Sequence, residues 1–412
     1  MPTTLQISYG SDFQELVVPD NVEFVETGME DYEEYRFVDI TASLNCPNAS
    51  QYFGNIKTLL IIINDQTRFT PSGLILSCLK SYLDKIDRIE ILIATGAHRA
   101  PTENELRKIL GPTYSKYKGV TRSHDGLDED QHLYAGTLSS GIDIYLDNSV
   151  DIFDNILVIG SVEPHFFAGF TGGRKGIFPG VALKASIADN HVKAIDRDVQ
   201  PLELDNAIHR DMDEVIDLLE GKNIFSIQTV HNPDRSIAGI YCGDIRESFN
   251  QAIELASEIY VRKADKLYDI VIAAVNPPLD IDLYQIQKSF ENTKFAVKPG
   301  GVCILISKCR DGIGPDDWLK LSSRYGSSKE VLRNSQDARI FGFHKLYRPA
   351  RFMESSRIFV VADVEDYIIK SVFLTPKADI QSAFNDAVRL LPPNPSMLIV
   401  YDAAQNVIRF DS

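Results

Sequence analysis

VEPHFFAGFTGGRKGIFPG, residues 162–180, begins shortly after the apolar run Ile156–Ile159 and holds one histidine, one arginine, one lysine and five glycines. The apolar run predicts a buried strand. Glycines at a strand end let the backbone approach a ligand closely or adopt a positive φ angle. Arg174 and Lys175 suit an anionic ligand or a covalent bond through the lysine amine. The segment therefore predicts a binding loop, and the alternative is a surface turn whose charges are solvated.

The loop matches neither of two common nucleotide-binding motifs. A P-loop needs a serine or threonine directly after its Gly-Lys pair, whereas Lys175 follows Arg174 and precedes Gly176, so no hydroxyl group is placed to bind magnesium. The glycines are not spaced as Gly-x-Gly-x-x-Gly either.

A strand followed by a helix is predicted three times in the first half of the chain. The strands are KTLLIII at 57–63, RIEILIA at 88–94 and NILVIG at 155–160. One helix is expected at 72–86, the second starts at the capping-box pair Thr102 and Glu105, and the third is expected at 184–195. This alternation predicts an α/β fold with a mostly parallel sheet flanked by helices.

Polar clusters follow each of these strands. They are Asp65 with Thr67 and Arg68, His98 with Arg99, and His165 with Arg174 and Lys175. In open parallel sheets ligands bind at the carboxyl ends of the strands. We therefore expect the three clusters to converge on one site.

A second series of strands and helices begins after a linking region. Short strands are expected within residues 1–50, and residues 203–264 look mainly helical, with a strand near Ile224–Val230 and an amphipathic helix at 247–263. Further strands are predicted at 268–275, 297–308, 357–363 and 397–402. We expect two α/β domains, residues 1–265 and 266–412, with the last residues packing back on the first domain.

Composition excludes several classes of protein. The 412 residues carry a net charge of −16, which disfavours nucleic acid and anionic membranes as partners. No basic and apolar leader and no apolar stretch of about 18 residues is visible, so we expect neither a signal peptide nor a membrane span. Five scattered cysteines without a Cys-x-x-Cys pair indicate a reducing, cytoplasmic compartment.

The eight histidines divide by their position relative to the predicted strands. His98, His165 and His191 lie at or after strand ends, and a zinc site that includes Asp65 is one interpretation of them. No short ligand pair such as His-x-His supports that interpretation. For the other five we expect surface or structural roles: His124, His132, His209, His231 and His344.

Taken together, the motifs resemble the lactate racemase family, enzymes that use a nickel-pincer nucleotide to racemise or epimerise 2-hydroxy acids. The resemblance rests on NDQTRFTP at 64–71, TGAHR at 95–99, PHFFAGFTGGRKGIFPG at 164–180, NH at 190–191 and YQIQK at 284–288, with a weaker likeness in ISYGSDFQELVVP near the N-terminus. The five main motifs keep the family's order and extend over both predicted domains.

The resemblance implies a pyridinium mononucleotide with thiocarbonyl arms, tethered to a lysine through a thioamide and holding nickel. Lys175 matches the tethering lysine, and His191 matches the histidine that completes the nickel coordination. The candidates for the environment of the nucleotide are Asp65, Thr67, Gly172, Gly173 and Arg174. The family's cofactor-synthesis and insertion enzymes are implied as partners.

The resemblance also implies how the substrate is handled. His98 and His165 match the family's two acid/base histidines, each facing one side of a small 2-hydroxy acid while hydride moves to and from the cofactor. Arg68, Gln285 and Lys288 match substrate-contacting positions, with Tyr284 as a wall of the pocket. Because these residues come from both domains, the active site is expected in the cleft between them.

One family feature has no clear counterpart. The family closes the substrate pocket with an aromatic residue of the second domain, and neither Trp318 nor Tyr347 can be assigned that role from the sequence. The substrate is therefore open among lactate, malate, a longer hydroxy acid and a sugar acid.

Three other functions remain alternatives. One is a zinc-type hydrolase that uses the same histidines, and another is a non-catalytic protein that binds a mononucleotide or a sugar acid. The last is an enzyme that forms a Schiff base through Lys175.

Overall fold

The computed structural model describes residues 2–28, 35–196, 199–277 and 279–410. They form two compact units. The glycine-loop unit, named for residues 162–180, consists of Glu34–Lys193 and Leu202–Ile259. The C-terminal unit consists of Met1–Glu33, Ala194–Pro201 and Tyr260–Ser412.

The units are not the two consecutive ranges expected with a boundary near 265. The first strands of the chain and the segment Ala194–Pro201 belong to the C-terminal unit. The last strand, Val407–Phe410, pairs in parallel with Val261–Ala264 inside that same unit.

Within the described ranges the strands, in chain order, are β1 (Thr3–Tyr9), β2 (Asp12–Val18), β3 (Glu23–Thr27), β4 (Thr58–Asn64), β5 (Arg88–Ala94), β6 (Thr121–Ser123), β7 (His132–Thr137), β8 (Asp143–Asp147), β9 (Asn155–Ser161), β10 (Pro164–His165), β11 (Gly169–Phe170), β12 (Asn223–His231), β13 (Ile237–Gly243), β14 (Val261–Ala264), β15 (Tyr268–Ala274), β16 (Val297–Ile306), β17 (Arg357–Val361), β18 (Thr375–Pro376), β19 (Ser396–Val400) and β20 (Val407–Phe410).

The α-helices of the same ranges are α1 (Ile40–Leu44), α2 (Pro47–Phe53), α3 (Ser72–Cys78), α4 (Lys80–Leu83), α5 (Glu103–Leu110), α6 (Tyr114–Tyr117), α7 (Ser149–Ile152), α8 (Lys184–His191), α9 (Ala207–Leu218), α10 (Ile245–Tyr260), α11 (Leu283–Thr293), α12 (Asp316–Ser322), α13 (Ser328–Arg333), α14 (His344–Phe352), α15 (Asp366–Ser371) and α16 (Ile380–Leu390). None of them has the length and apolar composition needed to cross a membrane.

The sheet of the glycine-loop unit is parallel at its centre. Among the described residues its strand order is β13-β12-β9-β4-β5-β6, and only the β12–β13 pair is antiparallel. Strand β4 is buried over Leu59–Ile63, as expected for a strand covered on both faces. The predicted α/β class is confirmed.

The C-terminal unit contains a second parallel sheet. Its order among the described residues is β18-β17-β16-β15-β19-β3, with every pair parallel. Strand β3, from the start of the chain, forms one edge of this sheet by pairing with β19.

Several local predictions were wrong at their boundaries. The helix expected at 72–86 is divided into α3 and α4. The helix expected at 247–263 ends at Tyr260, and the next residues form β14. Strand β13 lies in the region 203–264 that was expected to be mainly helical, and the sequence did not predict it. It is an edge strand that forms by pairing with β12, so it does not need a long apolar run of its own.

Candidate functional site

The carboxyl ends of β5, β4 and β9 lie side by side in the sheet. Asn64 pairs with Ala94, and Ile63 pairs with Ile159, so the segments that follow these strands leave the sheet at one edge. These segments carry the three polar clusters predicted to converge.

A buried carboxylate connects the first two clusters. Asp65 Oδ1 accepts hydrogen bonds from the backbone amide and the hydroxyl of Thr67, at 3.0 and 2.6 Å. Its Oδ2 lies 2.7 Å from His98 Nδ1. Burial alone would raise the pKa of the carboxyl group, but the interactions with His98 and Thr67 outweigh burial and hold it below its ordinary value. Asp65 was predicted near the nucleotide, and in this structure its partner is His98.

The three remaining groups of these clusters differ in exposure. About half of the His98 side chain is exposed, at 48 %. Arg68 is half-buried, and its positive charge helps to lower the pKa of Asp65. Its backbone amide donates to the Asp65 carbonyl oxygen at 3.3 Å. Arg99 instead forms an ion pair with Glu105, at 2.7 Å between Nη1 and Oε2.

His165 lies in the glycine-rich loop with its Nδ1 turned toward the backbone. The amide groups of Ala168 and Phe167 donate to this nitrogen, at 3.2 and 3.5 Å. The ring stacks on Phe166 and meets Phe167 edge to face, with centroids 5.0 and 4.5 Å apart. His165 is buried, and its orientation is determined by the loop itself.

The glycine pair at the loop's turn is required by backbone geometry. Gly172 and Gly173 have φ angles of +84° and +52°. A Cβ atom on Gly172 would lie 2.7 Å from Gln228 Oε1, and one on Gly173 would lie 2.9 Å from the ring of Phe249. The Gly173 amide donates to Gln228 Oε1 at 2.8 Å. Gln228, from β12, had no recognisable sequence signal and proves to support the turn.

Lys175 and His191 both lie against the ring of Phe167. Lys175 Nζ lies 5.7 Å from the centroid of Phe167, and the His191 ring meets the same Phe167 edge to face at 4.8 Å. His191 is the last residue of α8. Phe167 lies in the motif at 164–180, in which His165 was the candidate residue. The sequence did not indicate that Phe167 contacts His165, Lys175 and His191.

The protonation state and hydrogen bonding of His191 suit a metal ligand. Burial and the nearby charge of Lys175 lower the pKa of its imidazole to about 3, so the ring is neutral at pH 7. Its buried Nδ1 has no hydrogen-bond partner among the described residues. A neutral imidazole with an unused nitrogen is the form that binds nickel.

Arg174 points into the interior of the glycine-loop unit. It contacts His209 Nε2 through Nη2, lies 2.7 Å from Asp213 Oδ1 through Nε, and covers the ring of Phe249 at 4.6 Å. Burial lowers the pKa of its guanidinium group to about 10. Its Nη1 is buried without a hydrogen-bond partner in the described part of the chain, as is Gln228 Nε2. These two donors beside the glycine turn fit an anionic group such as a phosphate.

The predicted residues of the C-terminal unit lie at the start of α11. Asp282 caps this helix by accepting from the Gln285 amide at 2.7 Å. Tyr284 is buried and meets Trp318 edge to face at 5.3 Å, so Trp318 supports Tyr284 from within the unit. Lys288 is half-buried in the same helix.

Lys345 is a charged residue that sequence reasoning missed. It is buried in α14, and its Nζ lies 5.0 Å from the centroid of the Tyr284 ring. Burial first, and then the neighbouring charge of Lys288, lowers the pKa of its ammonium group to about 7. Tyr347, on the same helix, packs against Phe343 with centroids 5.8 Å apart.

The five histidines for which surface or structural roles were expected are all buried: His124, His132, His209, His231 and His344. Nowhere in the described ranges does a group of three His, Cys, Asp or Glu side chains come together as metal ligands. The zinc-hydrolase alternative therefore has no ligand set among these residues.

Comparison with known proteins gives the family. Residues 9–201 match the model of the lactate racemase N-terminal domain, and residues 261–408 match that of the lactate racemase C-terminal domain. A lactate racemase of Thermoanaerobacterium thermosaccharolyticum is 29 % identical over 366 residues, 86 % of this chain and 85 % of the relative. A lactate racemase of Lactiplantibacillus plantarum is 31 % identical over 281 residues, 66 % of this chain and 65 % of the relative.

Solved structures agree with this assignment. The lactate racemase apoprotein from T. thermosaccharolyticum superposes with a TM-score of 0.86 at 26 % identity, covering 99 % of this chain and 100 % of that one. A Thermotoga maritima protein shares the fold, with a TM-score of 0.70 at 16 % identity over 90 % of this chain and 97 % of that one. The chain thus belongs to the lactate racemase family and is an isomerase of the racemase type.

Proposed function

We propose that this protein racemises or epimerises a 2-hydroxy acid with a nickel-pincer nucleotide tethered to Lys175. The observation that carries the proposal is the arrangement around Phe167, which contacts Lys175, His191 and His165. When bound, the cofactor would supply an electrophilic ring carbon that accepts hydride from the substrate's C2 and returns it.

The residues of the glycine-rich loop would hold the cofactor. Lys175 would carry the thioamide bond, and neutral His191 would bind nickel through an imidazole nitrogen. Gly172 and Gly173 would form the turn beside the nucleotide, because they adopt the positive φ angles that it requires, and the buried guanidinium group of Arg174 would favour the negative charge of the nucleotide. Asp65 and Thr67 remain candidates for the nucleotide's surroundings.

The substrate would be held by its carboxylate and handled at its hydroxyl group. A guanidinium group binds a carboxylate in a bidentate manner, which suits Arg68 to this role. His98 and His165 would act on the hydroxyl proton, since imidazole can exchange protons near neutrality. Gln285 and Lys288 would contact the substrate from the C-terminal unit, with Tyr284 as a wall.

The partners and compartment follow from the same proposal. A thioamide-linked nickel cofactor requires dedicated synthesis and insertion enzymes, which would act on Lys175. None of the five cysteines forms a disulfide. A reducing cytoplasm, where such an enzyme would meet its hydroxy-acid substrate, is the proposed compartment.

The direct test is the intact mass and nickel content of the protein produced together with the cofactor-synthesis and insertion enzymes. The lactate racemase of T. thermosaccharolyticum, loaded in parallel, is the positive control. We expect a nickel-containing adduct on Lys175 that is lost in Lys175→Ala and Lys175→Arg. The loaded protein should then invert C2 of at least one 2-hydroxy acid without added NAD.

A loaded control beside an unmodified, nickel-free Lys175 would contradict the proposal. Binding of a mononucleotide or sugar acid that survives loss of His98 and His165 would then favour the binding-protein alternative. Borohydride trapping of a carbonyl substrate on Lys175 would favour the Schiff-base alternative.

A further inference from the structure

His124 and His132 face each other through their ring nitrogens inside the glycine-loop unit. Their Nε2 atoms lie 3.0 Å apart, the ring planes differ by 84°, and both side chains are buried. We propose that these two nitrogens bind a zinc ion, at a site separate from the one that would hold the cofactor. This inference does not rest on the proposed function, because neither histidine is among the residues assigned to the cofactor or the substrate.

The other nitrogen of each ring is already used as a donor. His132 Nδ1 lies 2.7 Å from the carbonyl oxygen of Asp128, which can only accept, so this nitrogen carries a proton. Thr95 Oγ1 donates its one proton to the carbonyl oxygen of His124 at 2.8 Å. The same hydroxyl oxygen lies 3.1 Å from His124 Nδ1 and is left to accept, so this nitrogen carries a proton as well.

Two lone pairs therefore face each other between the rings. A neutral imidazole with a protonated Nδ1 has no proton on Nε2, so neither ring can donate to the other across the 3.0 Å contact. A cation between the rings, either an extra proton or a metal ion, turns this repulsion into attraction. Burial, and then the adjacent His132, lower the pKa of His124 to about 4, which opposes an extra proton at neutral pH. A metal ion instead bonds to both lone pairs, since neutral imidazole is the form that binds metals.

The separation of the two Nε2 atoms suits zinc. Imidazole nitrogens bind zinc at about 2.0–2.1 Å, which places two of them roughly 3.3 Å apart at a tetrahedral angle and roughly 2.9 Å apart at a right angle. The observed 3.0 Å lies within this range. Each ring also donates its Nδ1 proton to an oxygen, the support that commonly orients a histidine ligand. No third His, Cys, Asp or Glu side chain joins the pair in the described part of the chain, so water would complete the coordination.

The segment that joins the two histidines is acidic. Residues 125–131, DGLDEDQ, contain four carboxylates and no basic side chain, and three of the four carboxylate residues are exposed. Their negative charge would concentrate cations beside the histidine pair. His124 directly follows β6 and His132 is the first residue of β7, so a bound ion would fasten the two ends of this segment to each other.

Zinc titration of the full-length protein, made without a histidine tag, is the first test. At the same free zinc concentration, His124→Gln and His132→Gln should each bind one zinc ion fewer per chain than the wild type. Glu129→Gln, which changes only an exposed carboxylate of the joining segment, should keep this ion. Thr95→Val removes the hydroxyl group that determines the His124 tautomer, and we expect it to weaken zinc binding about 10–100-fold.

X-ray diffraction at the zinc absorption edge locates the ion in wild-type crystals, whether or not the variants fold. The expected result is an anomalous peak about 2.0–2.1 Å from both Nε2 atoms. No such peak in crystals soaked with excess zinc, or equal zinc binding by the wild type and both glutamine variants, would overturn the proposal. A proton shared between the two rings would then be left to account for the 3.0 Å contact.

Discussion

The imidazole ring of His191 meets the ring of Phe167 edge to face, with the two centroids 4.8 Å apart. His191 belongs to α8 and Phe167 to the glycine-rich loop, so this contact joins the helix that carries the metal-ligand candidate to the loop that carries Lys175. The packing of one buried aromatic ring thereby sets the separation between the two groups proposed to hold the cofactor.

Phe167→Leu should impair cofactor retention more than folding. Leucine replaces most of the buried volume but offers no flat ring to His191 and Lys175, so we expect nickel per protein to fall severalfold while stability falls by about 1–2 kcal/mol. Metal analysis and urea unfolding measure the two effects. Phe225→Leu, in the core of the same unit, is the matched control and should lose stability without losing nickel. Equal nickel content in both variants would contradict the role of Phe167.

Gly172→Ala and Gly221→Ala separate backbone strain from close packing. Both glycines have positive φ, +84° and +96°, but a Cβ at Gly221 would meet nothing within 4 Å, whereas one at Gly172 would contact Gln228 and Val162 at 2.7 Å. We expect the Gly221 variant to lose about 1 kcal/mol from strain, and the Gly172 variant to lose about 2–4 kcal/mol and its ability to load cofactor. Urea unfolding and intact mass give these results. Similar losses in both variants would contradict the close packing of Gly172 against Gln228 and Val162.

Arg348 anchors the segment that follows the His191 helix. Its guanidinium group pairs with Glu291 at 2.8 and 2.6 Å and donates to the carbonyl oxygens of Ala194 and Val199 at 2.8 and 2.9 Å. Glu291 is buried, and although burial opposes it, the charges of Arg348 and Lys294 lower the pKa of its carboxyl group. Removal of Arg348 would leave this carboxylate poorly compensated.

Arg348→Met should therefore reduce the free energy of unfolding by about 3–5 kcal/mol in urea titrations. The double variant with Glu291→Gln should recover only part of that loss, since it removes the poorly compensated carboxylate but also takes away the ion-pair partner of Lys294, which lies 2.7 Å from Glu291. Arg389→Met removes an ion pair whose arginine is 77 % exposed, and we expect a change within about 0.5 kcal/mol. If the Arg348 and Arg389 variants behaved alike, Arg348 would not anchor the segment.

Lys345 should make stability depend on pH above neutrality. Its pKa is about 7 in the folded protein and 10.5 as its ordinary value, so the unfolded chain binds more protons between these values. Lys345 therefore increases the free energy of unfolding as the pH rises from 7 to 10, by at most about 1.4 kcal/mol per pH unit. Lys345→Met removes the gain, and thermal unfolding across that range should show a difference between wild type and variant that grows with pH. Lys320→Met, at a 75 % exposed lysine, should give a constant difference.

The local pattern of the chain was sufficient for much of the glycine-loop unit. The runs around Leu60, Leu92 and Val158 are strands as predicted, because buried parallel strands are recognisable from a short apolar run and its turn. The position of polar groups at the strand ends followed from the rule for parallel sheets. The Thr102–Glu105 capping box also formed as its spacing predicted, since it involves only neighbouring residues.

Pairings between distant segments could not be predicted from the sequence. Asp65 and His98 are 33 residues apart, and their contact depends on which strands are neighbours in the sheet. Lys345 is buried against Tyr284 because α14 packs near α11, and no periodicity in the sequence predicts this packing. The same holds for the edge strand β13 and for the inward direction of Arg174.

By itself, then, the sequence determined the α/β class, the strands that carry the site, the family, and the identity of Lys175, His98, His165 and His191 as candidates, because these depend on local patterns and short motifs. Only the tertiary structure decided which partner each of them has. Hydrogen bonding at a single imidazole nitrogen depends on atoms brought together by folding, and that detail decides whether a histidine accepts a proton or donates one.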